Sequence, residues 1–300
     1  MKIFSGSSNL PLAGKVAKNL GLKLAKIELS QFANGEIRVW VREKVARQKV
    51  FILQSLSNPS EKNLIELCLI ADAVKRLGAK EITACVPWLA YTKQDKVFRP
   101  GEPLSAKVIA KIIQSIPIDS LITFDLHNMA MIGFFDIPVI HLSGLTILEK
   151  QLKKEITKHS VVVSIGAGGT KLSAGLAKSL NLPIAYLDSH RDLKTGKVTI
   201  QGISQKITAK DVLIIDDNIF TGSTLIQTSI FLKKEKAKSI TVAATHHLFI
   251  PGTSEKLEKS NIDKLFITDT IKKPRGLKLK KTKTISIAPL IAKTVRKMIK

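Results

Sequence analysis

Along the chain, short runs of apolar, mostly β-branched residues alternate with longer stretches whose apolar positions recur at helical spacing. The runs VFILQ (50–54), EITACVP (81–87), SLITFDL (120–126), VVVSI (161–165), VLIIDD (212–217), SITVAATH (239–246) and KLFITD (264–269) are nearly continuous, which predicts parallel strands covered on both faces. The stretches 63–79, 105–116, 170–180 and 225–237 carry apolar residues at helical spacing and predict helices that bury one side. Several stop at Gly or Ala with a lysine nearby, as helix ends favour. The segment PLIAKTVRKMIK (289–300) predicts a basic amphipathic helix docked on the protein. Strand–helix alternation predicts an α/β protein of mostly parallel sheets with helices on both faces. Two such sets occur. The break falls near HLSGLTILEK (141–150), so the expected domains are 1–142 and 143–300.

Composition narrows the class. A length of 300 residues is comfortable for two domains, and 44% hydrophobic residues suffice for their cores. The two cysteines, Cys68 and Cys85, each lie in an apolar run and read as buried, reduced thiols rather than a disulfide or metal site. The opening MKIFSGSSNL has no signal-peptide core, and no run approaches the roughly 18 apolar residues of a membrane span, so a cytoplasmic protein is expected. Charge adds a hint about partners: 48 Lys+Arg against 24 Asp+Glu give a formal +24, which favours anions. A lysine-rich solvated surface explains the same balance, because the lysines are spread along the chain with only a mild cluster at 272–283. Aromatics are 5% and do not interleave with the cations, so a stacking platform, and with it specific nucleic-acid binding, is not expected.

The sharpest chemistry lies in VLIIDDNIFTGSTL (212–225). Asp216 and Asp217 close a strand, a short loop from Asn218 to Thr224 follows, and a helix opens. The small residues Thr221, Gly222, Ser223 and Thr224 leave backbone N–H groups accessible at the helix N-terminus, a ready site for a phosphate dianion. The two acids suit sugar hydroxyls, directly or through Mg²⁺; the plain alternative is an acidic strand end before a capped helix. VVVSIGAGGTKL (161–172) repeats strand, Gly-rich turn and helix, with a second set of amides at Ala167, Gly168 and Gly169. PWLAYTKQDKVFRPGEPLSAK (87–107) passes from a strand through a loop carrying Lys93, Gln94, Asp95, Lys96 and Arg99, cations suited to clamping a polyphosphate. FDLHNMAMIGFFDIPV (124–139) puts Asp125 and His127 at a strand end, where open α/β sheets hold their sites. QFANGEIRV (31–39) taken alone is an Asn-Gly turn between two strands.

The 212–225 segment resembles the phosphoribosyl-binding loop of the type I phosphoribosyltransferase fold. With the other segments, from SGSSN (5–9) to the last helix, nearly the whole chain is similar to the ribose-phosphate pyrophosphokinase family. The resemblance implies two tandem type I phosphoribosyltransferase-like domains. It also implies transfer of pyrophosphate from Mg-ATP to O1 of ribose 5-phosphate, giving phosphoribosyl pyrophosphate and AMP. Ribose 5-phosphate is then expected on Asp216, Asp217, Thr221, Gly222, Ser223 and Thr224. ATP is expected between the halves of one subunit, on Lys93, Gln94, Asp95 and Arg99, and on Phe32, Asn34 and Glu36 of a neighbouring subunit. Mg²⁺ is expected at His127, beside the γ-phosphate. YLDSHRDLKTGKVTI (186–200) corresponds to the family's mobile catalytic loop, where Arg191 with Lys194 or Lys197 would neutralise the transferring group. A homo-oligomer built from dimers up to a hexamer is implied as well.

Four positions depart from the family pattern. Phe220 stands where an acid usually precedes Thr-Gly, Gly166 where a metal-binding aspartate is usual, and Ser189 where the catalytic loop carries lysine. Lys93 replaces an arginine, keeping the charge and losing the bidentate fork. These changes set an active enzyme against a weakened paralogue that assembles with or regulates an active pyrophosphokinase. A phosphoribosyltransferase that consumes the product fits less well, because the domain is duplicated and the Asp-Leu-His segment is present.

Overall fold

The computed structural model describes residues 1–191 and 198–299, and they group into two compact units. The first holds Met1–Ser143, Thr270–Lys272 and the chain from Ser286 onward; the second holds Gly144–Asp269 and Lys273–Ile285.

In the first unit, β1 (Lys2–Ser5), β4 (Lys49–Leu53), β5 (Glu81–Val86), β6 (Ser120–Phe124) and β7 (Val139–Leu142) form one parallel sheet in that spatial order. β2 (Ile27–Gln31) and β3 (Ile37–Val41) make a separate antiparallel hairpin. α1 (Leu10–Leu20) starts where the Asn9 side chain accepts from Leu12 N and ends at Gly21, whose φ of 71° supplies the left-handed stop. α2 (Ser60–Arg76) and α3 (Ser105–Gln114) bury Leu67, Ile70, Val74, Ile109 and Ile113 in one cluster with Phe4, Ile52 and Ala84. Ile3, Phe51 and Cys85 alternate with those strand residues, so they point to the opposite face, and all are fully buried. There Phe51 and Thr83 meet Val295 and Met298 of α8 (Ala288–Ile299), which also packs on α1. Although last in sequence, α8 therefore clusters with the first unit.

The second unit has a seven-stranded sheet in the order β10 (Val198–Ile203), β9 (Ile184–Arg191), β8 (Ser160–Ser164), β11 (Asp211–Ile219), β12 (Ser239–His247), β13 (Lys264–Thr268), β14 (Thr282–Ile285). Only the β9–β10 pair is antiparallel. The two faces are visible in one strand. Ile214 packs with α6 (Ser223–Lys234) and α7 (Thr253–Lys259) through Leu225, Leu232 and Leu257. Its neighbour Ile215 packs with α4 (Leu145–Leu152) and α5 (Thr170–Leu180) through Leu148, Leu152 and Leu176. Cys85 is buried and Cys68 half-buried, and neither is in a disulfide. No helix among the described residues is long and apolar enough to cross a membrane.

The two units repeat one plan. A first strand (β1, β8) leads into a helix (α1, α5). The chain then returns parallel along the far side of that strand, at Leu24 beside Ile3 and at β9 beside β8. An antiparallel excursion follows, and the next strand (β4, β11) pairs on the opposite side of the first. Strand order therefore reverses at β1/β4 and at β8/β11, and open α/β sheets bind ligands beyond the carboxyl ends of strands at such reversals.

Candidate active site

At the β8/β11 reversal, the acidic strand end differs from its sequence reading. β11 runs on through Asn218 to Ile219 and α6 begins at Ser223, so the loop proper is Phe220–Gly222. Asp216 and Asp217 thus sit inside the strand, and Ser223 and Thr224 form the first turn of the helix. Gly222 holds φ 69° at the N-cap of α6, where Ser223 N donates to Thr221 Oγ1 at a long 3.5 Å, and the positive end of the helix faces this turn. A Cβ on Gly222 would come 3.1 Å from Leu257 of α7. Thr253, also on α7, donates its hydroxyl to the Phe220 carbonyl at 3.3 Å. Thr221 and Ser223 pair through their hydroxyls at 3.1 Å, and Asp216 Oδ1 accepts from Asp217 N at 2.9 Å. Asn218 is 7% exposed, and its Oδ1 has no hydrogen-bond partner among the described residues.

Across the reversal, Gly166 adopts φ 140° and its carbonyl accepts from Thr170 Oγ1 at 3.2 Å and Gly169 N at 3.1 Å. An aspartate would be strained at that φ. A Cβ built there would lie 3.8 Å from Ser189 Oγ, so two of the four departures are neighbours in space. The described residues of the expected catalytic loop lie in strands: Ser189 pairs with Ile200 and Arg191 with Val198 in the β9–β10 ladder. Lys194 and Lys197 lie outside the described residues.

Behind the loop stands His247, paired in register with Ile219 and 1% exposed. Its Nδ1 accepts from Phe249 N at 3.0 Å, which leaves the proton on Nε2 to donate to Ser254 Oγ at 3.3 Å. The ring stacks on Phe249, and burial pushes its pKa down to about 4. His247 thereby braces the turn into α7, the helix that supports Phe220 and Gly222. The sequence reading missed it, and a His-His pair in an apolar strand was the available signal.

In the first unit, Asn128 joins two of the predicted segments. Its Nδ2 donates to Asp95 Oδ2 at 2.7 Å and its Oδ1 accepts from Ala130 N at 3.0 Å. Gln94 is held from the other side by Ser105 Oγ at 2.5 Å and by Ala106 N, which donates to its carbonyl. Asp95 is thereby tied to the residue next to His127, which is exposed beyond β6. Arg99 N donates to Glu102 Oε2 at 3.2 Å, closing the turn that follows. Asp125 holds a rare φ of 33°, and Leu126 N donates to His141 Nε2 at 3.1 Å, so the His141 imidazole is neutral. Burial lowers the His141 pKa, opposed by the Asp125 charge. Asn128 and His141 were not singled out in the sequence. Phe32, Asn34 and Glu36 are exposed at the tip of the β2–β3 hairpin, where Gly35 has φ 88° and the Arg38 guanidinium lies 5.8 Å from the Phe32 ring.

Among the described residues, no three His, Cys, Asp or Glu side chains cluster to hold a metal. One imidazole does not make a Mg²⁺ cage. Mg²⁺ is a hard cation that takes oxygen ligands and commonly arrives on substrate phosphates with its waters.

Two family models match the chain: the N-terminal domain of ribose phosphate pyrophosphokinase over residues 1–116, and the phosphoribosyl synthetase-associated domain over 193–300. The chain is 38% identical over 299 residues to a ribose-phosphate pyrophosphokinase of Aquifex aeolicus, covering 99% of this chain and 96% of that one. It is 38% identical over 296 residues to a namesake from Caldanaerobacter subterraneus, covering 98% and 93%. The crystal structure of phosphoribosylpyrophosphate synthetase from Mycobacterium smegmatis aligns with a TM-score of 0.92 at 31% identity, over 99% of this chain and 98% of that one.

Proposed function

The chain belongs to the ribose-phosphate pyrophosphokinase family, and from that premise we propose that it makes phosphoribosyl pyrophosphate from ATP and ribose 5-phosphate. The O1 hydroxyl of the sugar attacks the β-phosphorus of ATP. The new O1–P bond forms, the bond from that phosphorus to the oxygen bridging to the α-phosphorus breaks, AMP leaves, and the hydroxyl proton is lost. The observation that carries this reading is the strand, acid pair, glycine turn and helix N-terminus brought together at the β8/β11 reversal. The 5-phosphate sits on the amides of Gly222, Ser223 and Thr224, with the Thr221 hydroxyl beside it, and Asp216 and Asp217 orient the ribose hydroxyls.

Lys93, Gln94, Asp95 and Arg99 bind ATP, and His127 would help hold the Mg²⁺ that comes with it. Magnesium bound with the nucleotide supplies charge neutralisation along the triphosphate. Arg191, with Lys194 or Lys197, steadies the charge of the group in transfer. Phe32, Asn34 and Glu36 serve the ATP site of a neighbouring copy, which makes the working form a homo-oligomer in the cytoplasm. Nothing favours the inactive-paralogue reading. The test is AMP release from Mg-ATP in the presence and absence of ribose 5-phosphate. Sugar-dependent release that falls by about a hundredfold or more in Arg191→Ala is expected. Binding of ribose 5-phosphate with no AMP release would overturn the reading.

A further inference from the structure

The duplicated plan gives the first unit a crevice of its own, at the β1/β4 reversal, and that crevice is full. Strand register sets the correspondence. Val50 pairs with Lys2 and Ile82, as Val212 pairs with Val161 and Ile240. Four residues further on, Gln54 takes the place of Asp216, and Ser55 that of Asp217. The loop Gly6–Asn9 between β1 and α1 takes the place of the glycine turn between β8 and α5.

Where the second unit presents two half-buried carboxylates, the first presents Gln54, with no exposed surface, wedged against the loop. Gln54 Oε1 accepts from Ser8 N at 3.2 Å and Ser8 Oγ at 2.6 Å, and its Nε2 donates to Glu66 Oε1 at 2.8 Å. Glu66 comes from α2, the counterpart of α6, and is 2% exposed. Its two oxygens accept from Ser7 N at 2.6 Å and Ser7 Oγ at 2.9 Å. All of these donors are neutral groups, the kind that cradles an anion on a loop before a helix. Gly6 is the contact surface: a Cβ there would fall 2.2 Å from Gln54 Oε1 and 2.8 Å from Glu66 Oε1. Any larger residue would push the carboxylate off the loop.

We infer that the first unit carries a second anion-binding crevice of the same build, and that the Glu66 carboxylate is its permanent occupant. The loop before α1 is therefore closed to any outside anion, and the ribose-phosphate site proposed above, before α6, stands alone. The correspondence rests on strand order and hydrogen bonds, so it stands whatever substrate the second unit takes.

The full chain carrying Glu66→Ala leaves the cradle without its anion. Its melting temperature should drop, and sodium formate or acetate should raise it well beyond the rise seen for wild type, against sodium chloride at matched ionic strength. Glu66→Gln keeps the shape without the charge and should lose stability without being rescued. Equal effects of formate on all three proteins, or a Gln variant as stable as wild type, would overturn the inference. If the Ala variant does not fold, the Gln variant and wild type still decide. Equilibrium dialysis of wild type against ribose 5-phosphate should give one equivalent per chain. Two equivalents would overturn the occupied crevice, whereas none would count against the proposed function alone.

Discussion

A single glycine shows how local geometry and chemistry meet in this protein. Gly222 combines a φ of 69° with a Cβ direction that leads into Leu257, so even alanine there meets both backbone strain and a 3.1 Å contact. The left-handed conformation alone costs about 1 kcal/mol for a non-glycine residue. Gly222→Ala should therefore reorient the amides of the first turn of α6 and weaken ribose 5-phosphate binding about tenfold or more, measured by calorimetry, with the melting temperature moved by only a few degrees. Unchanged affinity would remove the phosphate from this turn. Asn128 is the opposite case, a residue whose role depends on a partner 33 positions away. Asn128→Ala should raise KM for ATP and leave KM for ribose 5-phosphate unchanged. In an Asp95→Ala background the same change should do nothing further, because the bond is already gone. Additive losses would show that the 2.7 Å contact orders nothing. The difference between these two residues explains what the sequence disclosed. Gly222 belongs to a contiguous motif whose chemistry is complete within a few residues. Asn128, His141, His247 and Glu66 act through partners brought near by folding, and apart from the His-His pair at 246–247 no local pattern marks them.

At the scale of elements, legibility followed burial. Strands covered on both faces announce themselves as apolar runs, and β4, β5, β6, β8, β12 and β13 fall within a residue or two of the predicted spans. β11 is longer than its apolar run because Asp216 and Asn218, with Asp217 between them, stay in the strand opposite Ala244 and His246 of β12. β1, buried but only four residues long, and the part-exposed β14 and β9–β10 hairpin were not drawn as strands, since short or half-wet strands give little contrast. The β12–α7 junction carries a pH dependence that follows from one buried ring. The folded pKa of His247 is about 4, below the ordinary 6.5, so the folded state binds fewer protons than the unfolded chain in between. Its contribution is fully present above pH 6.5 and is lost as pH falls toward 4, at about 1.4 kcal/mol per pH unit. The total is on the order of 3 kcal/mol at pH 4. Urea titrations from pH 7 down to 4 should show this decline for wild type. His247→Asn keeps an acceptor for Phe249 N, and should give a lower plateau with a flatter pH dependence. Parallel curves would mean that His247 does not set the acid limit.

For the whole molecule, the duplicated plan was legible because strand–helix alternation repeats, but the chain's last step was not. The segment from Ser286 onward joins the first unit through α8 and α1, a packing between elements more than 250 residues apart that chain order conceals. Net charge is the other property of the whole. Residues 270–300 contain eleven Lys or Arg and no Asp or Glu, and Lys15, Lys18, Lys23 and Lys26 lie in an acid-free stretch from Leu10 to Ile27. Such a balance attracts any polyanion, yet attraction by side chains spread over a surface differs from recognition in a cradle. Surface lysines meeting a DNA duplex act by releasing counterions, so affinity falls steeply with salt, by about 10³ or more between 50 and 200 mM for six or more phosphate contacts. A single phosphate held by backbone amides at the α6 N-terminus releases few counterions, and its affinity should fall only a few-fold over the same range. Fluorescence anisotropy of a short labelled duplex, run beside calorimetry with ribose 5-phosphate through a salt series, separates the two. DNA binding should vanish near physiological salt for every sequence tried, while sugar-phosphate binding persists. A sequence-selective duplex complex that survives at physiological salt would show that the +24 serves nucleic acid rather than small phosphorylated substrates.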